Sequence, residues 1–136
     1  MIQQGATTAF KLSLLNGAQN FTSGVYKIAL YTALADLGPD TTVYTTVGEI
    51  TGTGYVAGGN TLTNVVPASS NEVAFISFLN TTWTSASFTA RGALIYNGTT
   101  NAAVAVLDFG SDKTCNNAFT VTFPSATATT AVIRLT

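Results

Sequence analysis

FTARGALIYNGTTNAAVAVLD, residues 88–108, is the stretch of sequence that decides the fold. Its two ends, residues 88–96 and 102–108, are dense in β-branched, aliphatic and aromatic residues, which favour strands. Asn97 and Gly98 lie between them, and this dipeptide is a strong hairpin signal although the loop is longer than two residues. The stretch therefore predicts two antiparallel strands joined as a hairpin.

Further runs of the same kind lie on both sides of this hairpin. They predict strands over residues 25–31, 61–66, 72–79, 119–123 and 131–135. Both faces of residues 72–79 are apolar, which is typical of a central strand that is covered on each side. In residues 25–31 we expect only one face, with Tyr26, Ile28 and Leu30, to lie in the core, while Lys27 shares the other face.

One segment has helical spacing instead. Phe10, Leu14 and Ala18 recur every four residues, which predicts an amphipathic helix within residues 8–20. Thr7 or Thr8 can cap its start, and Asn16-Gly17 favours an early end.

Many strands and a single helix predict a single all-β domain over residues 1–136, with an N-terminal arm and helix at about 1–21. We expect an antiparallel β-sandwich, with a jelly roll as the first topology and an immunoglobulin-like sandwich as the second.

The connection between the first two strands is long, at residues 32–60, and it is rich in glycine. We expect irregular structure there, with short strands near residues 43–47 and 55–56. The segment GTGYVAGG, residues 52–59, lacks the lysine and the following Ser or Thr of a phosphate-binding loop, so we interpret it as a glycine-rich turn.

Composition limits the chemistry available to the chain. It carries five basic and six acidic residues in 136, for a net charge of −1, and it has no histidine. So little positive charge does not favour nucleic-acid binding, and every catalytic triad that needs a histidine is excluded. We therefore expect no catalytic residues, no cofactor and no metal site, and we interpret the chain as a non-enzymatic protein.

The six carboxylates and the one thiol are interpreted in the same way. We expect the acidic residues to be solvated loop charges and turn formers: Asp36, Asp40, Glu49, Glu72, Asp108 and Asp112. Arg91 and Asp108 lie in apolar strands, where a lone charge is costly to bury, so they are expected either to pair or to face solvent. Cys115 is the single cysteine; it is expected in a loop, and it can form neither an intrachain disulfide nor a zinc site.

Membrane insertion and export are not indicated by the sequence. No run approaches the roughly 20 apolar residues of a membrane span, and residues 1–20 lack the apolar run and cleavage site of a signal peptide. A protein made in the cytoplasm and released with a virus particle fits these features together with a surface that is rich in threonine and asparagine.

Two groups of apolar side chains are candidates for contact with a partner. The helix at residues 8–20 either binds a partner as an arm or closes one face of a sheet as a lid. The candidate interface residues are Phe10, Leu14, Leu15 and Trp83. Trp83 and the tyrosines at 31, 44, 55 and 96 form either a platform for stacking sugars or part of the core or an interface, the commoner use of such rings.

Three groups of segments together resemble a known class of protein. They are AFKLSLLNG (residues 9–17), YKIALYT with GTGYVAGG (26–32 and 52–59), and Trp83 ahead of ARGALIYN and VLDFG (90–97 and 106–110). With these segments the chain resembles the small structural proteins of tailed bacteriophages, in particular the jelly-roll capsid cement or decoration proteins. The similarity covers most of the chain, but its segments are packing and turn motifs.

The resemblance implies a function on the outside of a virion. Such a protein binds the major capsid protein, possesses no catalytic residues, bridges neighbouring capsomers and stabilises the shell after assembly in the host bacterial cytoplasm. It can also associate with itself as a homo-oligomer. The alternatives left open are a carbohydrate-binding or receptor-binding module of a tail fibre or baseplate, and a structural role in the neck or tail.

Overall fold

The computed structural model describes all residues from Met1 to Thr136 and has an all-β architecture with one helix. The helix, α1, spans Thr8–Leu15. The strands are Gly5–Ala6 (β1), Tyr26–Tyr31 (β2), Asn60–Thr61 (β3), Asn64–Ser70 (β4), Val73–Phe78 (β5), Thr81–Thr84 (β6), Phe88–Asn97 (β7), Ala103–Cys115 (β8), Ala118–Val121 (β9) and Ile133–Leu135 (β10). The prediction of an antiparallel all-β fold with an N-terminal helix is confirmed.

The strands form three antiparallel sheets. The largest has the order β1-β8-β7-β2-β3, a second has the order β10-β5-β4, and the third pairs β6 with β9. The predicted hairpin is β7 and β8, in which Leu94 lies opposite Val106 and Ile95 opposite Ala105. The hairpin places the two longest strands at the centre of the large sheet.

The main core lies between the large sheet and the two small ones. Ile28 and Ile95 of the large sheet pack with Phe78 of β5, Trp83 of β6 and Phe119 of β9 in one buried cluster. Burial of these apolar surfaces from both sides is what holds two sheet layers face to face. The arrangement is that of a sandwich, with the second layer made of two separate pieces.

The other face of the large sheet is covered as well, which corrects the expectation for residues 25–31. Ala29 and Tyr31 belong to a second buried cluster, where Ile2, Ala35 and Leu37 pack over them. The covering residues come from the N-terminus and from the long 32–59 connection. Strand β2 is therefore buried on both faces, with only Lys27 partly exposed.

The 32–59 connection has no strand of its own, so the short strands expected near residues 43–47 and 55–56 are wrong. Its strand-like pairings with the rest of the chain are isolated bridges, such as Tyr31 with Glu49 and Val43 with Ala102. Tight turns at glycines account for the missing strand at residues 55–56: Gly59 has a φ of +76°, and a Cβ there would collide with the carbonyl of Ile28. At residues 43–47 only Val43 forms a bridge, and a single bridge does not make a ladder.

Two strands were not predicted, and one prediction covers two strands. Strand β6, TTWT, lies within a polar stretch, and β1 has only two residues. The predicted strand at residues 61–66 corresponds to β3 and β4, which are separated by Leu62 and Thr63. Strand β5 is central in its sheet, as predicted. Its first two residues are less covered than expected, because Val73 is half-buried and Ala74 is exposed.

Helix α1 begins and ends where its capping residues predict. The Oγ1 of Thr7 accepts a hydrogen bond from the Phe10 amide at 3.0 Å, which satisfies one of the free donors of the first turn. The helix ends before Asn16-Gly17, and Gly17 takes a φ of +70°. Phe10 is the buried residue of this short helix, and it packs on the main core.

Candidate functional site

The most organised polar group of the molecule surrounds Glu49. The Tyr44 hydroxyl donates to Oε1 at 2.6 Å, the Tyr55 hydroxyl donates to Oε2 at 2.5 Å, and the Gly58 amide donates to Oε2 at 2.8 Å. Tyr55 in turn accepts a hydrogen bond from the Leu30 amide of β2 at 3.0 Å. Glu49 therefore ties two turns of the 32–59 connection to the large sheet.

The tyrosines around this carboxylate are held in their neutral form. Burial raises the pKa of Tyr31, Tyr44 and Tyr55 well above the usual value of 10, and the negative charge of Glu49 raises each pKa further. A tyrosine with a raised pKa is a poor proton donor near neutral pH, and both oxygens of Glu49 already accept hydrogen bonds. The arrangement positions the loop against the large sheet.

Arg91 and Asp108 form the ion pair that the sequence predicts as one of two outcomes. The Nε of Arg91 lies 3.4 Å from Oδ1 of Asp108, and each side chain is about one third exposed, at 35% and 30%. The Gly110 amide, which donates to the same oxygen, and then Arg91 lower the pKa of Asp108. Because the pair is solvated, we assign it a modest structural role.

Cys115 does not lie in a loop, contrary to the expectation. It is the last residue of β8, opposite Phe88 in β7, and its Sγ donates a weak hydrogen bond to the Ala86 carbonyl at 3.5 Å. The strand extends past residue 108 because β7 and β8 continue to pair after a bulge. The irregularity takes up residues 109–112, where Gly110, Ser111 and Asp112 interrupt the strand pattern and hide the continuation.

The structure separates the four predicted interface residues. Phe10 and Trp83 are 2% and 4% exposed and belong to the main core, so neither can contact a partner directly. Leu14 is half-buried against that core, and Leu15 is 87% exposed. Only the outer side of α1 therefore remains available for contact, whereas Phe10 closes the sheet as a lid would.

The aromatic residues form a core and do not make an exposed stacking platform. Tyr31 and Tyr96 are buried, and the ring of Trp83 meets Phe88 and Phe119 edge-on. Tyr44 stacks on Tyr96 with ring centroids 4.7 Å apart, which occupies the face that a sugar would need. The interpretation of these rings as packing residues is the one that the contacts support.

Large apolar side chains are exposed at many points of this weakly charged surface. The most exposed are Leu15, Leu34, Val47 and Val56, each at 77% or more. Leu12 and Leu15 are three positions apart on α1, and residues at this spacing share a helix face. Single exposed apolar residues are ordinary, but two on one face of a lid helix make a small contact surface.

Comparisons with known proteins give no relative: no family model, no curated protein and no solved structure matches this chain. No helix of the fold has the length and apolar content needed to cross a membrane. No group of three or more His, Cys, Asp or Glu side chains converges as metal ligands would. The functional interpretation therefore depends on the surface and on the sequence resemblance.

Proposed function

We propose that this chain is a non-enzymatic structural protein of a tailed-phage virion, a cement or decoration protein that binds the major capsid protein and bridges its neighbouring subunits. The observation that carries the proposal is the combination of a rigid antiparallel sandwich with an almost uncharged surface that exposes apolar side chains. The resemblance to phage capsid cement proteins supports the location on the shell.

The chemistry of the surface suits attachment to another protein. With a net charge of −1, the chain has no long-range field to steer charged ligands, and burial of apolar area must supply most of the binding free energy. Such a contact is insensitive to salt, because screening acts on charges and leaves apolar burial largely unchanged. A shell protein that must remain bound in variable surroundings benefits from this property.

The outer side of α1 is the part of the surface that we assign to the shell. Leu12 and Leu15 are 59% and 87% exposed, while Phe10 on the same helix is anchored in the core. The anchored residue fixes the position of the exposed ones, so that little entropy is lost when they are buried against a partner.

The test is binding of the purified chain to empty phage shells, measured by cosedimentation and by the melting temperature of the shells. We expect binding that raises the melting temperature and changes little between 50 mM and 500 mM salt. Leu15→Gln keeps a good helix former and should weaken binding about tenfold, which corresponds to roughly 1.4 kcal/mol.

Val56→Thr is the matched control, since Val56 is 77% exposed in the glycine-rich turn, outside α1. We expect it to bind shells as the unchanged chain does. Absence of binding to any shell would overturn the proposed function. Equal binding by the Leu15 variant and the unchanged chain would overturn the assignment of α1 alone.

A further inference from the structure

Two sheets present unpaired edges to one groove. The groove has a volume of about 660 Å³ and is lined by residues 4–6 and 105–107 on the side of the large sheet. Residues 122–124 and 131–134 line the side of the smaller sheets, and Thr136 lies at its margin. A second hollow of about 490 Å³ shares Gln4, Leu107 and Thr122 with it and continues between β8 and β9. We call the two together the edge groove.

The register of β1 shows which of its amide groups face the groove. The Thr7 amide donates to the Val104 carbonyl, so that Thr7 and Val104 form a hydrogen-bonded pair. Such pairs alternate along an antiparallel ladder, and Gly5 with Val106 is therefore the next one. Ala6 lies between them, and its N–H and C=O point away from β8.

The same reasoning applies to β10 on the opposite wall. The Leu79 amide donates to the Thr63 carbonyl, which makes Ser77 with Val65 a hydrogen-bonded pair on the β4 side. Ile76 therefore pairs through hydrogen bonds with Ile133 on the β10 side, and Arg134 opposite Phe75 turns its N–H and C=O outward. None of the turn, loop or cap hydrogen bonds involves these atoms of Ala6 or Arg134, and the ladder bonds of β1 and β10 fall on the alternate residues.

Two other edges of the sheets are protected. Strand β4 contains Pro67, which has no N–H, at a break in its register between Val65 and Ala68. Strand β8 turns the Asp108 amide outward beyond β1, and the Gln4 side chain accepts its hydrogen bond at 3.1 Å. In the edge groove, β1 and β10 have neither a proline nor a side chain bonded to their outward N–H groups, and both line the same space.

We propose that the edge groove binds an extended segment of a partner protein, which enters as an added strand between β1 and β10. The unpaired N–H and C=O groups of Ala6 and Arg134 then bond to its main chain, as in recognition by strand addition. Because such a segment pairs with β1 on one side and with β10 on the other, neither of its edges can already be paired with another strand.

None of the elements within residues 1–136 supplies such a segment. Every strand of four or more residues is already paired with a neighbour, and the N-terminal residues are held by the bonds of Gln3 and Leu37. A second folded copy therefore offers no strand with two free edges, and the occupant is a flexible arm of a different protein. Arg134 is the one charged residue among the 14 that line the main part of the groove, and it already donates to the Ala128 carbonyl. The second hollow adds Asp108 and Lys113, whose opposite charges offset each other. The low net charge of the lining favours an arm with little net charge.

The inference does not depend on the capsid assignment, and it can be tested with no shell present. Because Thr136 lies at the groove, a strand can be supplied as a C-terminal extension, at the high effective concentration of a tethered ligand. The extension is a short Gly-Ser linker followed by Thr-Val-Thr-Val-Thr-Val. The matched control ends in Thr-Pro-Thr-Pro-Thr-Pro, which has the same length but lacks alternate N–H donors.

The measurement is the rate of amide hydrogen exchange, residue by residue, with sedimentation to report the oligomeric state. We expect the valine extension to slow exchange at Ala6 and Arg134 about tenfold or more, and the proline extension to leave both rates unchanged. If an extension disturbs folding, the same two segments added as free peptides repeat the comparison.

Three results would overturn the proposal. They are unchanged rates at both residues, equal protection by the two extensions, and protection confined to the β4 edge. Dimerisation of the unextended chain with protection at Ala6 and Arg134 would also overturn it, because a second copy would then be the occupant.

Discussion

At the scale of single residues, Glu49 stabilises the fold more than its place in a glycine-rich connection suggests. Its carboxylate accepts hydrogen bonds from Tyr44, Tyr55 and the Gly58 amide. Removing an acceptor leaves partly buried donors without partners, which costs more than the net value of a hydrogen bond.

Glu49→Ala should therefore destabilise the protein by about 2–4 kcal/mol in urea unfolding, because each buried donor left without a partner costs about 1–3 kcal/mol and water can reach the half-buried hydroxyls of Tyr44 and Tyr55. Asp112→Ala is the control, because Asp112 is exposed and makes no hydrogen bond or ion pair. Its effect should remain within about 0.5 kcal/mol. Equal effects of the two substitutions would contradict the role given to Glu49.

Single residues also show how far the sequence alone can predict the candidate sites. The pairing of Arg91 with Asp108 could be expected because a charge in an apolar strand needs a partner. The burial of Trp83 has a signal in the sequence, because Thr-Trp-Thr is the alternation of a strand with one buried face. Glu49 had no such signal, because its donors are assembled by turns that only the folded chain brings together.

At the scale of elements, α1 is a lid on the core that also presents an outer apolar side. Its Phe10 ring meets Phe21 edge-on at 5.8 Å, and Phe21 stacks on Tyr26 of β2 at 4.4 Å. The helix has only eight residues, which is too short for stability on its own, so this anchor must hold it in place.

Phe10→Ala should cost about 3–5 kcal/mol in unfolding free energy, as expected for a large-to-small change at a buried aromatic. Leu15→Ala on the same helix serves as the control, because Leu15 is 87% exposed. It should change the stability by less than about 0.5 kcal/mol. Thermal or urea unfolding followed by far-UV circular dichroism measures both. A small loss for Phe10→Ala would contradict the lid assignment.

The long elements were predictable and the short ones were not. Strands β2, β5, β7 and the first half of β8 are dense in aliphatic, aromatic and β-branched residues, and this pattern is sufficient to identify them. Strand β1 has two small residues, and it exists because β8 offers an edge beside it. A pattern within a short segment cannot reveal a partner that lies far away in the sequence.

At the scale of the whole molecule, the three tyrosines around Glu49 determine how the stability responds to alkaline pH. The folded state raises the pKa of Tyr31, Tyr44 and Tyr55 above the usual value of 10 by burying them. Above pH 10 the unfolded chain therefore loses protons that the folded chain retains. The part of the unfolding free energy that comes from burying these neutral tyrosines is fully present below pH 10 and is lost as the pH rises further.

Urea unfolding between pH 7 and 11.5 should show an unfolding free energy that is flat up to about pH 9.5 and then falls steeply. A single tyrosine contributes up to about 1.4 kcal/mol per pH unit to this slope. Tyr31→Phe removes one buried titrating group and should make the decline shallower. A free energy that stays constant through pH 11.5 would contradict the burial of these hydroxyls.

The bond from the Thr7 hydroxyl to the Ala103 carbonyl, at 3.1 Å, joins positions that are 96 residues apart in the chain. During synthesis on the ribosome, the capping residue of α1 emerges long before the strand on which the helix closes. The nascent chain must then keep its apolar N-terminal segment from aggregating until β8 has been made. With sheet partners so distant in sequence, spontaneous refolding should take milliseconds to seconds, at the slow end for a domain of this size.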